Sequence, residues 1–175
     1  MNYFQTNLLM TETTNIRTTN TKALVRGIAC SVPIILLGFL SGMSTTSEIA
    51  NWYSQLQKPS FNPPNFIFGP VWSALYILMG ISLSIIIGKG SNRIRTISIT
   101  LFVVQFALNL CWSYIFFNLH QTGWAFMEII CMWLTILAMI ISFYKIHKTA
   151  ALLQIPYLIW VSFASILNYS IYVLN

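Results

Sequence analysis

Three helical stripes of aromatic, amide and small side chains are the part of this sequence best suited to binding a ligand. Residues spaced three or four apart lie on one face of a helix, and three segments show that spacing. The stripes are Gly69, Trp72, Tyr76 and Gly80; Gln105, Asn109, Trp112 and Phe116; and Pro156, Trp160, Ala164, Leu167 and Asn168. Flat rings with a few amide groups suit a planar, mostly apolar ligand.

Each of these residues also has a purely structural interpretation. Indoles near a membrane surface commonly act as interfacial anchors, and this is the interpretation favoured for Trp124, which lies near the outer end of a predicted span. Asn109 is also typical of a residue that ties two helices together by a hydrogen bond. For Trp72 and Trp160, the stripes alone do not decide between a role in a ligand pocket and a role in helix packing.

The sequence offers few groups for acid–base, nucleophilic or metal chemistry. His120 and His147 fall at opposite ends of the predicted bundle, so we expect no metal site. The three cysteines are odd in number and lie within apolar segments, which argues against a disulfide framework. Glu128 lies within an apolar segment near a helix start, where the helix dipole favours a negative group, so we interpret it as structural.

The elements that must position these residues are membrane-spanning helices. The chain has 175 residues, of which 57% are hydrophobic and 7% charged, with a mean hydropathy of +0.72. A helix needs about 20 apolar residues to cross a bilayer. The sequence therefore predicts an all-α integral membrane bundle of five transmembrane helices, at Gly27–Thr45, Phe66–Gly88, Thr96–Asn118, Gly123–Tyr144 and Ala150–Leu174.

The parts outside the spans divide into a tail and a lid. Residues 1–24 are polar and predict a disordered N-terminal tail, in which Met10 is an alternative start, and residues 25–175 form one domain. Residues 46–65 form a proline-rich loop between the first two spans. Proline fixes φ and removes backbone donors, so we expect a structured lid over a pocket. Its key residues are Lys58, Pro59, Pro63 and Pro64.

The basic residues predict the orientation of the bundle. Eight of the nine lysines and arginines fall on one side of the predicted spans, and only Lys58 falls on the other. Basic loops stay in the cytoplasm, so the N-terminus is predicted to be cytoplasmic and Asn175 external. The net charge of +6 therefore reflects the orientation of the protein in the membrane. We expect no nucleic-acid partner, because the basic residues form no stripe along one helix.

The sequence resembles the translocator proteins, also called tryptophan-rich sensory proteins, the TspO/MBR family or the peripheral-type benzodiazepine receptors. The resemblance covers about residues 26–175, and it departs where the family more often has tryptophan at the positions of Phe61 and Phe66. The motifs that carry it are Trp52-Tyr53, Leu56 to Pro64, Phe68-Gly69-Pro70-Val71-Trp72, Leu75-Tyr76, Ala107-Leu108-Asn109, Trp112, Phe116-Phe117, Gly123-Trp124-Ala125, Pro156-Tyr157, Trp160 and Leu167-Asn168-Tyr169.

The resemblance implies a five-helix bundle, usually a homodimer, whose lid closes a pocket for protoporphyrin, other tetrapyrroles or benzodiazepine-type drugs. In the family, the positions of Trp72, Asn109 and Trp160 contact or process the ligand. The resemblance adds Phe68, Tyr76, Trp124, Ala164 and Leu167 as pocket residues. It places the protein in a bacterial membrane or the mitochondrial outer membrane.

These expectations lead to one functional prediction and two alternatives. We expect a receptor that binds a tetrapyrrole, or another planar apolar molecule, among membrane lipids and regulates porphyrin or stress responses, with no required cofactor. One alternative is an enzyme that degrades porphyrin in light through Trp72 and Trp160. The other is a porphyrin or lipid transporter, although five spans do not form two equal repeats.

Overall fold

The computed structural model describes the backbone of residues 3–175 and the side chains of residues 21–175. The described chain is helical throughout, with no strand. The helices are α1 (Tyr3–Ala50), α2 (Phe68–Ile87), α3 (Arg93–Ser113), α4 (Thr122–Tyr144), α5 (Lys148–Leu152) and α6 (Ile155–Leu174). Most of the predicted tail, including Met10, lies outside the described side chains, and its disorder stays a prediction.

Five segments of the described chain are long and apolar enough to cross a membrane. They are Thr21–Ala50, Asn65–Ile87, Arg93–Asn118, Thr122–Tyr144 and Lys148–Leu174. This confirms the predicted all-α bundle of five spans. We call the end of the bundle with the 51–67 connection the lid end, and the opposite end, with Arg26, Lys89 and Arg93, the basic end.

Helix α1 continues through Ala50, beyond the predicted end at Thr45, so the first part of the predicted lid at 46–65 is helical. Three hydroxyl groups near this end of α1 find acceptors in the preceding turn. Ser44 and Thr45 donate hydrogen bonds to the carbonyl oxygens of Ser41 and Gly42 at 2.7 and 2.8 Å, and Thr46 donates to Gly42 at 3.1 Å. A polar run therefore satisfies its side chains within the helix.

Two predicted spans are less regular than the sequence suggested. The last span breaks between α5 and α6 near Pro156. Proline has no N–H to donate to the preceding turn, and its ring would clash with a carbonyl of that turn if the helix were continuous. The third span ends in a π-helical turn at Tyr114–Asn118, closed by a 3.1 Å bond from the Leu119 N–H to the Tyr114 carbonyl. Such turns are wider than an α-helix and shift the side chains that follow.

Helices α1 and α2 pack closely through two glycines. A Cβ atom at Gly80 would overlap the backbone of Ser31, and one at Gly38 would overlap the ring of Tyr76. Small residues let helix backbones approach in a membrane, where packing rather than hydrophobic exclusion drives association. Gly38 and Gly42 form a GxxxG pair, a pattern that can mark a contact within a bundle or between chains, and here Gly38 makes its contact within the chain.

Candidate ligand-binding site

A cavity of about 400 Å³ lies between α1, α2, α3 and α6 near the lid end. Its size falls in the range of about 300–1,000 Å³ that is usual for ligand sites. The predicted residues that line it are Phe68, Trp72, Tyr76, Asn109, Trp160, Ala164 and Leu167. None of the lining side chains is a lysine, arginine, histidine, aspartate or glutamate. The stripes identified in the sequence therefore converge on one uncharged space.

The α2 wall is built from stacked rings. Trp72 lies 5.5 Å from Tyr76, centroid to centroid, at an interplanar angle of 30°. It also meets Tyr157 of α6 edge-on at 6.2 Å. Because Trp72 and Tyr76 are one helical turn apart, α2 holds both rings against the cavity.

Asn109 supplies a buried amide where three helices meet. Its Oδ1 atom accepts a hydrogen bond from the Tyr76 hydroxyl at 3.1 Å, and its Nδ2 atom donates to the Tyr157 hydroxyl at 3.4 Å. The Tyr157 hydroxyl donates in turn to the Met132 sulfur at 3.5 Å. Asn109 thus ties α2, α3 and α6 together, as the packing interpretation expected, and it also lines the cavity.

The α6 wall combines an indole with a small residue. Trp160 packs edge-on against Phe68 of α2 at 5.8 Å, which joins two walls of the cavity. Its Nε1–H is buried and has no hydrogen-bond partner among the described residues. Ala164 lies one turn further along, where its small side chain leaves the space open. A buried donor without a partner is uncommon and suits a ligand acceptor.

Trp112 and Asn168 hold the cavity wall together by a polar link between helices. The Trp112 Nε1–H donates to Asn168 Oδ1 at 3.0 Å, and Asn168 Nδ2 donates to the Thr122 carbonyl at 2.8 Å. Both residues line the cavity. They belonged to the predicted stripes, although neither stood among the predicted ligand contacts.

Helix α1 forms a wall that the sequence did not predict. Gly38, Gly42, Met43 and Thr46 all line the cavity from this helix. The signal available was the pair of small residues Gly38 and Gly42 at helical spacing, but such a pair is typical of helix packing and does not by itself indicate a ligand site. The lining face of α1 has no indole or amide, so residue chemistry alone did not distinguish it from a lipid-facing surface.

Trp124 is not a cavity residue, contrary to what the resemblance implied. It is 71% exposed on the surface of α4 and shares its face with Met127 and Leu134, which are also exposed. The buried face of α4 contains Ala125 and Ile129 instead. The helix turns about 100° per residue, so burying Ala125 directs Trp124 outward. Its position agrees with the interfacial-anchor interpretation.

The middle of the lid packs beside α6. The Gln57 N–H donates to Asn175 Oδ1 at 2.9 Å, and the Phe61 ring meets Phe163 edge-on at 6.3 Å. The predicted lid residues Lys58, Pro59, Pro63 and Pro64 therefore do not line the cavity. The ends of the connection do so through Tyr53 and Asn65.

Tyr53 fixes the fold of the lid. Its hydroxyl donates to Asn62 Oδ1 at 2.8 Å, and its ring lies 4.7 Å below the Lys58 ammonium. Lys58 also donates to the carbonyls of Ser54 and Leu56 at 3.2 Å. Burial raises the pKa of Tyr53 to about 12, although its bond to Asn62 opposes the shift. The lid is thus stabilised by its own internal contacts.

The α3–α4 connection is joined to α1 at the lid end. His120 adopts a φ of 56°, stacks on Trp52 at 4.3 Å, and has its Nε2 atom 2.9 Å from Glu48 Oε2. Trp52 also meets Phe116 edge-on at 5.5 Å. These contacts hold the end of α1 close to the π-helical turn and so support one side of the cavity.

Glu128 lies two turns inside α4, and both its carboxyl oxygens are buried without a hydrogen-bond partner among the described residues. It is absent from the cavity lining. Gln105, a member of the second stripe, is also fully buried and has no hydrogen-bond partner among the described residues. Neither residue is in contact with the cavity.

The sequence of this chain is similar to those of known membrane proteins. Residues 29–174 match the model of the TspO/MBR family. Tryptophan-rich protein TspO of Chlorobaculum tepidum is 40% identical over 151 residues, covering 85% of this chain and 95% of that protein. Protein CrtK of Rhodobacter capsulatus is 38% identical, covering 71% and 78%. Translocator protein of Sus scrofa is 36% identical, covering 77% and 81%.

Proposed function

Because the chain belongs to the TspO/MBR family, we propose that this membrane protein binds a tetrapyrrole such as protoporphyrin in the cavity and acts as a sensor or regulator of porphyrin. The observation that carries the proposal is the convergence of Trp72, Trp112 and Trp160 on one uncharged cavity. Flat aromatic walls favour a flat apolar ligand because ring-to-ring contacts add about 0.5–1.5 kcal/mol to area burial.

The polar groups of the cavity support this ligand class. The unpaired Nε1–H of Trp160 needs an acceptor, and the amide of Asn109 lies among the cavity-lining groups. A few polar groups within an apolar pocket orient a ligand without requiring it to be charged. A tetrapyrrole, which has a large apolar ring with polar nitrogens and edges, meets that description.

Light-dependent porphyrin degradation is a second candidate, favoured by the contacts of Trp72. Its ring touches two tyrosine rings, Tyr76 and Tyr157. In this scheme dissolved dioxygen is the oxidant: it takes an electron from the excited porphyrin and becomes superoxide, and the oxidised porphyrin, held against the Trp72 indole, then breaks down. Porphyrin loss under illumination that disappears in Trp72→Phe would support this candidate. Loss no faster than in empty lipid discs would exclude it.

Two tryptophan variants test the proposed binding. We expect protoporphyrin to bind purified protein saturably in the dark, measured through porphyrin absorbance. Trp160→Leu should weaken binding about tenfold, because it removes one aromatic wall worth roughly 1.4 kcal/mol. Trp124→Leu is the matched control, since it also removes an indole but from the exposed surface of α4. Equal losses in both variants, or no saturable binding at all, would refute the proposal.

We also propose that the basic end faces the cytoplasm. Lys89 and Lys145 lie in the connections at that end, and Arg93, Arg95 and Lys148 lie in the first turns of the helices that follow. The lid carries only Lys58. Basic residues beside spans are retained on the cytoplasmic side during insertion. A reporter that is active only outside the cytoplasm should be active when it is fused after Asn175. Activity of a cytoplasm-specific reporter at the same position would show that the proposed orientation is wrong.

A further inference from the structure

The cavity opens sideways between α1 and α2. These helices are in close contact at Gly80 with Ser31 and at Gly38 with Tyr76. Closer to the lid end, a Cβ atom added at Gly42 or Gly69 would meet no atom within 4 Å. Both glycines line the cavity and are exposed. The two helices therefore diverge toward the lid end and leave a lateral mouth.

The mouth lies within the leaflet at the lid end. Its exposed rim includes Met43 and Thr46 on α1 and Ser73 on α2. At about 1.5 Å per residue, Thr46 lies about 6 Å below Ala50, and Ser73 lies about 12 Å below Asn65. The hydrocarbon core is about 30 Å thick, and one leaflet is about half of that, so the rim extends from the outer part of the lid-end leaflet at Thr46 to its deeper part at Ser73.

The interior of the cavity cannot stabilise an ionised group. No charged side chain lines it, and the nearby Lys58 is held by Ser54, Leu56 and the Tyr53 ring. A carboxylate moved into an apolar interior without a partner loses several kcal/mol of solvation. An ionised edge of a bound molecule must therefore remain at the mouth, where head groups and water are within reach.

We propose that the cavity takes planar amphiphiles from the leaflet at the lid end, with the apolar plane inward and any ionised edge at the mouth between α1 and α2. This inference rests on the proposed function, because it assigns an orientation and an entry route to the ligand. It predicts that the charge of the ligand affects the binding affinity only through residues at the rim of the mouth.

A pair of charge variants at the rim tests the orientation. Protoporphyrin, with two carboxylates, and its uncharged dimethyl ester should bind the wild-type protein with affinities within about threefold of each other, a difference well below the cost of burying a charge. Ser73→Lys should tighten protoporphyrin binding about fivefold and Ser73→Glu should weaken it similarly, because a charged side chain that lines the mouth can approach a ligand carboxylate at the rim directly. Binding of the ester should not change.

The neighbouring residue provides the control. Ala74 is exposed at the same depth but does not line the cavity, so Ala74→Lys and Ala74→Glu should leave both affinities unchanged. Titrations use porphyrin absorbance in phosphatidylcholine nanodiscs, after gel filtration and circular dichroism verify the fold. If Ser73→Lys does not fold, Thr46→Lys places the same charge on the α1 side of the rim.

The outcomes separate this inference from the proposed function. Saturable binding of both molecules, with a charge response confined to the rim variants, supports both. Saturable binding with no charge response at Ser73 or Thr46, or with the same response at Ala74, overturns the orientation and leaves the proposed function standing. Absence of binding by both protoporphyrin and its ester overturns the two together.

Discussion

Filling the cavity by Ala164→Phe should block ligand binding without disturbing the bundle. Ala164 borders the open space between Trp160 and Leu167, so the new ring has room to enter it. A phenylalanine side chain covers about 150 Å². If the ring displaces ligand from half of that area, the loss at about 25 cal/mol per Å² is about 2 kcal/mol, or roughly 30-fold in affinity.

The assay is a protoporphyrin titration in the dark, followed by thermal unfolding of the same samples. Ile166→Phe is the control, because Ile166 lies two residues further along α6 and is exposed. We expect weaker binding only in Ala164→Phe and similar unfolding temperatures in both variants. Unchanged affinity in Ala164→Phe, or an equal loss in Ile166→Phe, would refute the assignment of Ala164 to the ligand site.

Two further predictions concern the helices and the lid. Gly38→Ala should destabilise the protein by about 1–3 kcal/mol, because the added Cβ atom would overlap the Tyr76 ring. Gly42→Ala should be nearly neutral, since a Cβ atom there meets no atom within 4 Å. Thermal unfolding measures both variants, and equal losses of stability would contradict the close contact of Gly38 with Tyr76. Tyr53 stabilises the fold fully below its unfolded pKa of about 10, and that contribution is lost as pH rises through about 12. The unfolding-temperature advantage of wild type over Tyr53→Phe should therefore shrink above about pH 10, and a constant difference would refute the role of burial.

Hydropathy and helical spacing predicted the spans and three of the four helices that line the cavity, namely α2, α3 and α6. The membrane solvent forces every span to satisfy its backbone as a helix, so apolar length alone identified the five spans. Polar side chains among apolar residues must face inward, which placed Asn109 and Gln105 correctly. The end of α1 was predicted too early because the apolar run ends near Thr45, whereas the helix continues through the polar residues that follow, to Ala50.

The remaining features of the site depend on packing between helices. The α1 wall arises because α1 and α2 diverge between Gly38 and the lid end. The angle between two helices depends on their packing and cannot be predicted from a local sequence pattern. Trp124 was assigned to the pocket by resemblance, but the rotation of α4 is set by its buried face at Ala125 and Ile129. The lid residues Pro63 and Pro64 were expected over the cavity, yet contacts such as Phe61 with Phe163 place the middle of the lid beside α6.

The most direct test of the account is to observe the six indole N–H groups by NMR during a protoporphyrin titration in nanodiscs. The chain has six tryptophans, so the signals are few enough to assign by single replacements. We predict saturable shifts for Trp72, Trp112 and Trp160, which line the cavity, and none for the exposed Trp124. Shifts at Trp124 with the three cavity indoles unchanged would contradict the central claim that this cavity is the ligand site.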